Sequence, residues 1–316
     1  MKYIIKRFLQ SLITVFLLIT MIFLLMRLLP PEKYFDDDEL RVLTNEQVQS
    51  ILEANGLLDH PLKQLVRYYK QLFIDHDLGI SRKIKVDVPV ATVIAERVGY
   101  SMRFGVLALC LSLVVGVFYG IVQARHKDKF ADQVGMIYTI LCNAVPGLVF
   151  YTLIMVFGAK FLGLPALFNP KKLVLSSIMP VICMSLSATA ANMLWVRRYM
   201  VDELNKDYIK LAVAKGLTEQ QVLYRHVLRN ALVPFCITIP TSFLHTIAGS
   251  LLVESFFSIP GMGYLLTMAI ATFDYDVVQT LVMLYGFLGV MGVFLGDILL
   301  TLVDPRVHLG KKEATR

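Results

Sequence analysis

The sequence predicts an all-α membrane protein that crosses the bilayer six times and keeps both termini in the cytoplasm. Of its 316 residues, 56% are hydrophobic and only 17% are charged, and the mean hydropathy is +0.64. A typical soluble domain carries about 25% charged residues. Several apolar runs exceed the roughly 18 residues that a helix needs to cross a hydrocarbon core of about 30 Å. The composition therefore indicates a polytopic membrane protein.

Six apolar segments are long enough to cross the membrane. The first follows Lys2, Lys6 and Arg7, and it is too long for the apolar core of a secretory signal. Because no small-x-small cleavage pattern precedes the next polar segment, we expect this first span to be retained. The six predicted spans are about Phe8–Leu29, Met102–Ala124, Val134–Leu162, Leu173–Trp195, Pro234–Phe257 and Val278–Val303.

The net charge of +7 is distributed as membrane topology requires and not as a nucleic-acid-binding surface would be. Two short external loops hold only Lys160, Lys171 and Lys172. The segments predicted to be cytoplasmic hold Lys2, Lys6, Arg7, Arg125, Lys127, Lys129, the seven basic residues from Arg197 to Arg229, and Arg306, Lys311, Lys312 and Arg316. Since basic residues favour the cytoplasmic side, this bias places both termini inside.

The spans divide the chain into four parts. Residues 1–30 form an N-terminal tail and the first span, and residues 101–307 form a five-helix core with a cytoplasmic segment at 202–233. Residues 308–316 form a cytoplasmic tail. Residues 31–100 form an external segment with two predicted helices, which begin at the Thr44/Gln47 capping box and at Pro61. The second helix has an amphipathic stripe, and we expect it to lie on the membrane surface or to cover a pore mouth. The stripe consists of Leu62, Leu65, Val66, Tyr69, Leu72 and Phe73.

The cytoplasmic segment 202–233, called the inner segment below, is the longest polar interruption in the second half of the chain. Leu204, Tyr208 and Leu211 recur at helical spacing, and Gly216 is placed to end that helix. Thr218 and Gln221 form a capping box, so a second helix is predicted to begin at once. A short helix with an apolar stripe outside the bilayer needs a partner groove to bury that stripe.

The run Ala212-Val213-Ala214-Lys215-Gly216, followed by Arg225-His226 and by Arg229-Asn230-Ala231 before Pro234, resembles the cytoplasmic "EAA" loop of ABC importer permeases. The likeness is greatest to the dipeptide/oligopeptide/nickel permease family, since Leu228-Arg229 stands where many importers carry Leu-Pro. In that family the loop is a coupling helix that docks on an ATPase subunit. The resemblance assigns this role to Asp207, Tyr208, Leu211, Ala212, Ala214, Lys215, Gly216, Leu217, Arg225, His226, Arg229 and Asn230. A loop merely solvated by its charges is the alternative.

Further strings resemble the same family in the outer part of the chain. They are LLDHPLKQLVRYY, DLGIS and PVATVIAERV in the external segment, then VESFFSIPGMG at 253–263, DYDVVQ at 274–279 and LVDPR at 302–306. His76 stands where the family usually has the first glycine of Gly-Asp-Leu-Gly. The string at 253–263 is an external turn near the substrate entrance in the family. With no basic residue between them, Glu254, Asp274 and Asp276 predict a negative outer rim, suited to a peptide amino end or a metal ion, or simply solvated.

Ionisable residues within spans are costly and usually face the bundle interior. We expect Asp297 to pair with a basic group at the cytoplasmic side or on a partner, in preference to contacting substrate. A lone mid-span histidine such as His245 is more often a hydrogen-bonded packing residue than a ligand. Pro146-Gly147 interrupts the third span, as a kink beside a translocation path or as an ordinary proline kink. The candidates for the translocation path or outer gate are Pro146, His245, Glu254, Pro260, Gly261, Gly263 and Asp297.

The sequence contains no motif for chemistry of its own. It has no GxxxxGK[ST] phosphate loop, no HExxH, no nucleophile elbow and no glycine-rich dinucleotide loop. Cys110, Cys142, Cys183 and Cys236 fall in separate apolar runs without a CxxC pair, and no His/Cys cluster supports a metal site. We therefore expect a chain that is not an enzyme and carries no cofactor, with ATP and magnesium bound by partner subunits.

The resemblance implies a permease subunit of a binding-protein-dependent importer in the bacterial plasma (inner) membrane. The substrates that this resemblance favours most are di- or oligopeptides, and the same architecture also serves import of nickel, an opine-type metallophore or glutathione. Five or six spans are too few to enclose a peptide-sized path, so a second homologous permease is expected. Two ATPase subunits, an extracytoplasmic substrate-binding protein and membrane lipid complete the expected partners, and nucleic acid is not among them. A non-transporting membrane scaffold or enzyme is the alternative from another class.

Overall fold

Within residues 2–28, 30, 35 and 42–303, which the computed structural model describes, nearly all secondary structure is helical. The predicted tail 308–316 and the basic residues Arg306, Lys311 and Lys312 lie outside this part of the chain. The helices are α1 Lys2–Met26, α2 Asn45–Ala54, α3 Pro61–Phe73, α4 Val90–Arg125, α5 Phe130–Ala144, α6 Gly147–Leu162, α7 Leu173–Leu204, α8 Asp207–Ala214, α9 Glu219–Val222, α10 Leu228–Cys236, α11 Ile239–Ala248, α12 Leu251–Phe256, α13 Met262–Thr272 and α14 Tyr275–Val303.

Four of these helices are long and apolar enough to cross a membrane: α1, α4, α7 and α14. Two bent helix pairs raise the number of candidate spans to six if each pair counts as one span. The protein is therefore a multi-pass helical membrane protein, as the sequence predicts. A two-stranded antiparallel sheet, which the sequence does not predict, pairs β1 (Ile80–Ser81) with β2 (Val88–Pro89).

The predicted third span is divided into α5 and α6, and the chain bends by 109° between them. Pro146 has no N–H to donate, and a residue that precedes proline is pushed out of the helical region. Val145 accordingly adopts extended angles, with φ −91° and ψ 130°. The interruption seen in the sequence is thus a sharp break between two helices, which is more than an ordinary proline kink.

The predicted fifth span is also divided, into α10, α11 and α12. The bend between the stretches 219–236 and 239–256 is 41°. Pro240 lies in the first turn of α11, where its missing N–H costs no hydrogen bond. Gly249, with φ +75°, separates α11 from α12. Proline and glycine are poor helix formers, and their positions here explain why the apolar run does not form one straight helix.

The centre of the bundle is the packing of α4 along α7. Gly116 and Gly120 of α4 face α7 so closely that an added Cβ would lie 2.6 Å from Asn192 Cβ and 2.9 Å from the Met193 carbonyl oxygen. Small residues allow such close helix approach in membrane bundles. Both helices are longer than predicted: α4 begins at Val90, inside the predicted external segment, and α7 continues past Trp195.

Helix α3 packs against α1 and also contacts α14 through Tyr68 and Met283. The capping box predicted at Thr44 is present at the start of α2. On α3, Tyr69 stacks on Phe16 of α1 with ring centroids 5.0 Å apart, and Tyr68 stacks on Phe23 at 5.1 Å. Part of the predicted apolar stripe of α3, including Phe73, is nevertheless exposed.

Candidate functional site

The inner segment forms two helices joined by a glycine turn, as the sequence predicts. Helix α8 ends at Ala214, and Gly216 follows with φ +87°, a conformation that glycine adopts without steric cost. The capping box at the start of α9 is complete, since the Gln221 N–H donates to Thr218 Oγ1 and the Thr218 N–H donates to Gln221 Oε1 at 3.0 Å. The end of the first helix and the start of the second are therefore confirmed, whereas Leu204 belongs to α7 and does not share a helix with Tyr208 and Leu211.

One face of α8 packs inside the chain itself. Ile209 and Ala212 are 4% and 8% exposed and join an apolar cluster with Met200 of α7, Val227 and Phe235. The motif assigns Ala212 to contacts with a partner, whereas this alanine lies in the core of its own chain. A bulky or charged substitution at Ala212 would consequently disturb folding of the inner segment before it affected any docking.

The opposite face of α8 exposes large apolar side chains. Leu211 on this face is 56% exposed, and Tyr224, which follows α9, is 58% exposed. Val213 lies two positions further on, and therefore on another side of the helix, and is 55% exposed. An open cleft of about 610 Å³ lies on the side of α8 that carries Ile209 and Val213, between α8, α9 and the end of α4 at Arg125. The other residues that the motif assigns to docking are also exposed, except for Leu217 and His226, which are half-buried; the exposed set is Asp207, Tyr208, Ala214, Lys215, Gly216, Arg225, Arg229 and Asn230.

A polar network lies beneath this exposed face. The Tyr208 hydroxyl donates to Glu203 Oε1, and Asn230 Nδ2 donates to the Tyr208 hydroxyl at 2.8 Å. Lys206 Nζ lies 2.5 Å from Glu203 Oε2, and Glu203 itself is only 6% exposed. Sequence reasoning missed Glu203, since its only signal is a carboxylate five positions before a tyrosine, across a break between two helices.

A π-helical turn, Leu223–Val227, joins α9 to α10. Such turns are rare in proteins, and many of those that do occur lie at functional sites. It carries Arg225 and His226, and the His226 ring lies edge-on to the Tyr208 ring with centroids 6.4 Å apart. The predicted docking residues of α8 and of the following helix thus meet on one surface.

The outer turn, residues 249–263, is organised around a buried carboxylate. Glu254 is 0% exposed and its Oε1 accepts from Ser101 Oγ of α4 at 2.8 Å and from the Ser250 N–H at 3.3 Å. Its Oε2 accepts from the N–H groups of Gly263 and Tyr264, at 2.8 and 3.2 Å, in the first turn of α13. A carboxylate in this position satisfies helix N–H groups that have no partner within the helix.

The glycines of the outer turn make room for that carboxylate. A Cβ at Gly261 would lie 2.4 Å from Glu254 Oε2, and one at Gly249 would lie 2.3 Å from Glu254 Oε1. A Cβ at Gly263 would lie 2.7 Å from the Leu251 nitrogen, and the half-buried Pro260 directly precedes Gly261. The string at 253–263 therefore builds an internal lock between α4, α12 and α13.

The predicted negative outer rim is wrong. Besides Glu254, Asp274 is buried at 1% exposure, and its Oδ2 accepts from Ser81 Oγ at 2.6 Å and from the N–H groups of Lys83 and Ile84 at 3.1 and 3.2 Å. Asp276 is half-buried, and Arg27 and Arg82 lie close enough to attract its charge. The absence of basic residues between these acids in the sequence did not reveal that distant segments supply their partners.

The remaining candidates lie apart from one another. Pro146 is exposed at the α5–α6 break. His245 is exposed on α11, so the expectation of a packed histidine is wrong. Asp297 pairs with a basic group, as expected, because its Oδ2 lies 3.4 Å from Arg7 Nε near the start of α1. The structure brings Glu254, Pro260, Gly261 and Gly263 together in the outer turn, and leaves Pro146, His245 and Asp297 apart from them.

Comparison with known proteins gives matches along nearly the whole chain. A family profile described as "Binding-protein-dependent transport system inner membrane component" matches residues 113–309. The chain is 35% identical over 315 residues to the dipeptide transport system permease protein DppB of Lactococcus lactis subsp. cremoris, covering 98% of this chain and 99% of that one. It is 32% identical over 309 residues to the oligopeptide transport system permease protein OppB of Haemophilus influenzae, with the same coverage.

Solved structures share the fold at lower identity. A crystal structure of an amino acid ABC transporter with histidines superposes with a TM-score of 0.50 at 15% identity. The superposition covers 68% of this chain and 94% of that one. At this identity the likeness concerns the fold, which supports the arrangement of helices described above.

Proposed function

Because the chain belongs to the family of binding-protein-dependent transport system inner membrane components, we propose that it is one permease subunit of an ATP-driven importer for di- or oligopeptides. The observation that carries the peptide assignment is the similarity to dipeptide and oligopeptide permeases over 98% of the chain. That similarity includes both the inner segment and the outer turn. Import of nickel, an opine-type metallophore or glutathione is the competing substrate assignment.

The proposed topology has six spans with both termini in the cytoplasm. The positive-inside bias supports it, and so does the Arg7–Asp297 pair, which joins the beginning of α1 to the end of α14 on one side of the bundle. The test is labelling of single cysteines with a membrane-impermeant maleimide, in a variant without the four native cysteines. Lys171→Cys should react from outside in intact cells, and Lys215→Cys only after permeabilisation. The reverse pattern would overturn the topology.

The proposed docking surface for the ATPase is the exposed face of α8 together with Tyr224 and Arg225. Exposed apolar side chains such as Leu211 lose contact with water when a groove covers them, and this favours binding. The proposed complex contains two ATPase subunits that bind ATP and magnesium, a second homologous permease and an extracytoplasmic substrate-binding protein. ATP binding on the inner side and the loaded binding protein on the outer side then bias one two-state equilibrium of the spans.

The test of this function is reconstitution of the complex from the host membrane into proteoliposomes. Uptake of a labelled dipeptide should require ATP and the binding protein, and unlabelled oligopeptides should compete. Saturable uptake of nickel or glutathione, without competition by peptides, would replace the peptide assignment. Recovery of the tagged chain without any ATPase subunit would favour a non-transporting scaffold or enzyme.

A further inference from the structure

We propose that Glu203 is a positioning residue that fixes the orientation of α8 relative to α7 and α10, a role that rests on the proposed function of the inner segment. Glu203 lies in the last turn of α7, the helix that runs from the outer side of the bundle at Leu173 to the inner segment. Its carboxylate is 6% exposed, although it faces the cytoplasmic end of the chain. A buried carboxylate at that place requires partners, and all of its described partners lie in the inner segment.

The connection between α7 and α8 leaves the orientation of α8 weakly determined. Only Asn205 and Lys206 lie between the two helices. The apolar face that α8 buries is small, since it consists mainly of Ile209 and Ala212. A helix of eight residues held by two buried side chains can rotate about its own axis unless polar contacts prevent it.

The network through Glu203 supplies the missing contacts. Tyr208 donates to Glu203 on α7 and accepts from Asn230 on α10, so one hydroxyl ties three helices together. Tyr208 and Leu211 are three positions apart and therefore lie on adjacent parts of one helix face. Holding the Tyr208 hydroxyl consequently holds the face that carries Leu211.

The same network provides a path for movement. A force that a partner applies at Leu211 reaches α7 through Glu203 and α10 through Asn230. Helix α7 is also fixed to α5 one turn and a half earlier, where Arg197 Nε and Nη2 lie 2.5 and 2.6 Å from the two carboxylate oxygens of the buried Asp132. Movement of α8 would therefore be passed to the membrane part of α7 and α5 instead of being lost in rotation of α8.

The first experiment measures peptide transported per ATP hydrolysed in the reconstituted complex. Tyr208→Phe keeps the ring but removes the hydroxyl, and Glu203→Ala removes the carboxylate. Both should lower the transport-to-hydrolysis ratio by about fivefold or more. ATPase recovery should stay at the wild-type level in Glu203→Ala, because the buried Glu203 is not part of the docking surface. Glu203→Gln keeps an acceptor for Tyr208 and should restore most of the ratio. Lys206→Ala is the matched control, because it removes only the ion pair with Glu203.

A wild-type ratio in Tyr208→Phe would overturn the proposal. The proposal would also be overturned if the transport-to-hydrolysis ratio, the rate of ATP hydrolysis and the ATPase recovery all fell together, because that result indicates a purely structural role. A wild-type complex without ATP-dependent uptake would instead refute the proposed function. A second measurement then still tests the orientation: double electron–electron resonance between spin labels at Lys215 and Lys127 in the isolated full chain. Tyr208→Phe should broaden the distance distribution, and an unchanged distribution would contradict the role of the network.

Discussion

The inner segment and the outer turn use their side chains in opposite ways. The inner segment leaves Leu211 and Tyr224 more than half exposed. The outer turn buries Glu254 completely and surrounds it with hydrogen-bond donors and glycines. One region leaves apolar side chains uncovered by the chain itself, and the other satisfies its charged group within the chain. The contrast teaches that a family motif can mark either a contact surface or an internal lock.

The contrast has a physical origin in the chemistry of the two motifs. A carboxylate next to a helix N-terminus can be satisfied by backbone N–H groups, so its burial does not require an external cation. Backbone groups cannot do the same for an exposed leucine, because only contact with another apolar surface removes its side chain from water.

The largest effect is expected for Glu254→Ala. The substitution leaves four buried donors without their acceptor: Ser101 Oγ and the N–H groups of Ser250, Gly263 and Tyr264. Unsatisfied buried groups cost about 1–3 kcal/mol each, so the loss in unfolding free energy should exceed about 3 kcal/mol. Thermal unfolding in detergent measures it, with the exposed Glu53→Ala as a control. Wild-type stability of Glu254→Ala would mean that the carboxylate is not a lock.

Two neighbouring substitutions in α8 should differ in kind. Ala212→Asp places a charge in the apolar cluster and should destabilise the inner segment by about 2 kcal/mol or more. Leu211→Asp changes an exposed residue, so folding should be kept while ATPase recovery with the tagged chain falls about tenfold. Proteolysis of the inner segment and co-purification measure the two effects. Equal loss of folding in both variants would contradict the assignment of the two faces.

Asp274→Asn should have a smaller and local effect. The amide keeps one carbonyl acceptor for Ser81, Lys83 and Ile84 but loses the negative charge. Because charge-assisted hydrogen bonds are about twice as strong as neutral ones, we expect a local loss of about 1–2 kcal/mol. Faster amide exchange at Lys83 and Ile84 would report it. Asp202→Asn, at an exposed position, is the control. Unchanged exchange in Asp274→Asn would count against a stabilising role of the Asp274 hydrogen bonds.

The smallest effect is expected for Arg7→Ala. The Arg7 side chain is 43% exposed and lies 3.4 Å from Asp297, so solvent screens the pair. The loss of stability should not exceed about 1 kcal/mol and should shrink at high salt. Melting temperatures at low and high salt measure it. A large loss that salt does not change would show that Asp297 depends on Arg7 in a dry environment.

Sequence periodicity predicted much of the fold. The capping boxes at Thr44 and Thr218 and the end of α8 at Gly216 are local features, and local features determine helix termini. The 109° break at Pro146 was located correctly, but its angle depends on packing that the sequence pattern does not contain. The early start of α4 at Val90 was not predicted, because Glu96 and Arg97 interrupt the apolar run and place residues 90–100 in the external segment.

The candidate site was predicted less completely than the fold. The motif located α8. It did not reveal that Ala212 faces inward while Leu211 faces outward, because that depends on which neighbours pack against α8. The partners of Asp274 lie about 190 positions away in the sequence, so no local pattern could reveal that it is buried. Glu203 was not predicted for the same reason, since its role depends on Tyr208 and, through the Tyr208 hydroxyl, on Asn230 of another helix.

The most direct test of the central claim, that α8 presents a docking face for an ATPase, is photo-crosslinking in intact membranes. In one variant a photoreactive amino acid replaces Leu211 on the exposed face of α8. In the control it replaces Leu252, which lies in the outer turn and is equally exposed. The account predicts that the probe at position 211 crosslinks to a separate ATP-binding polypeptide and that the probe at position 252 does not. Crosslinks from position 211 to lipid alone, or to the same polypeptides as position 252, would contradict it.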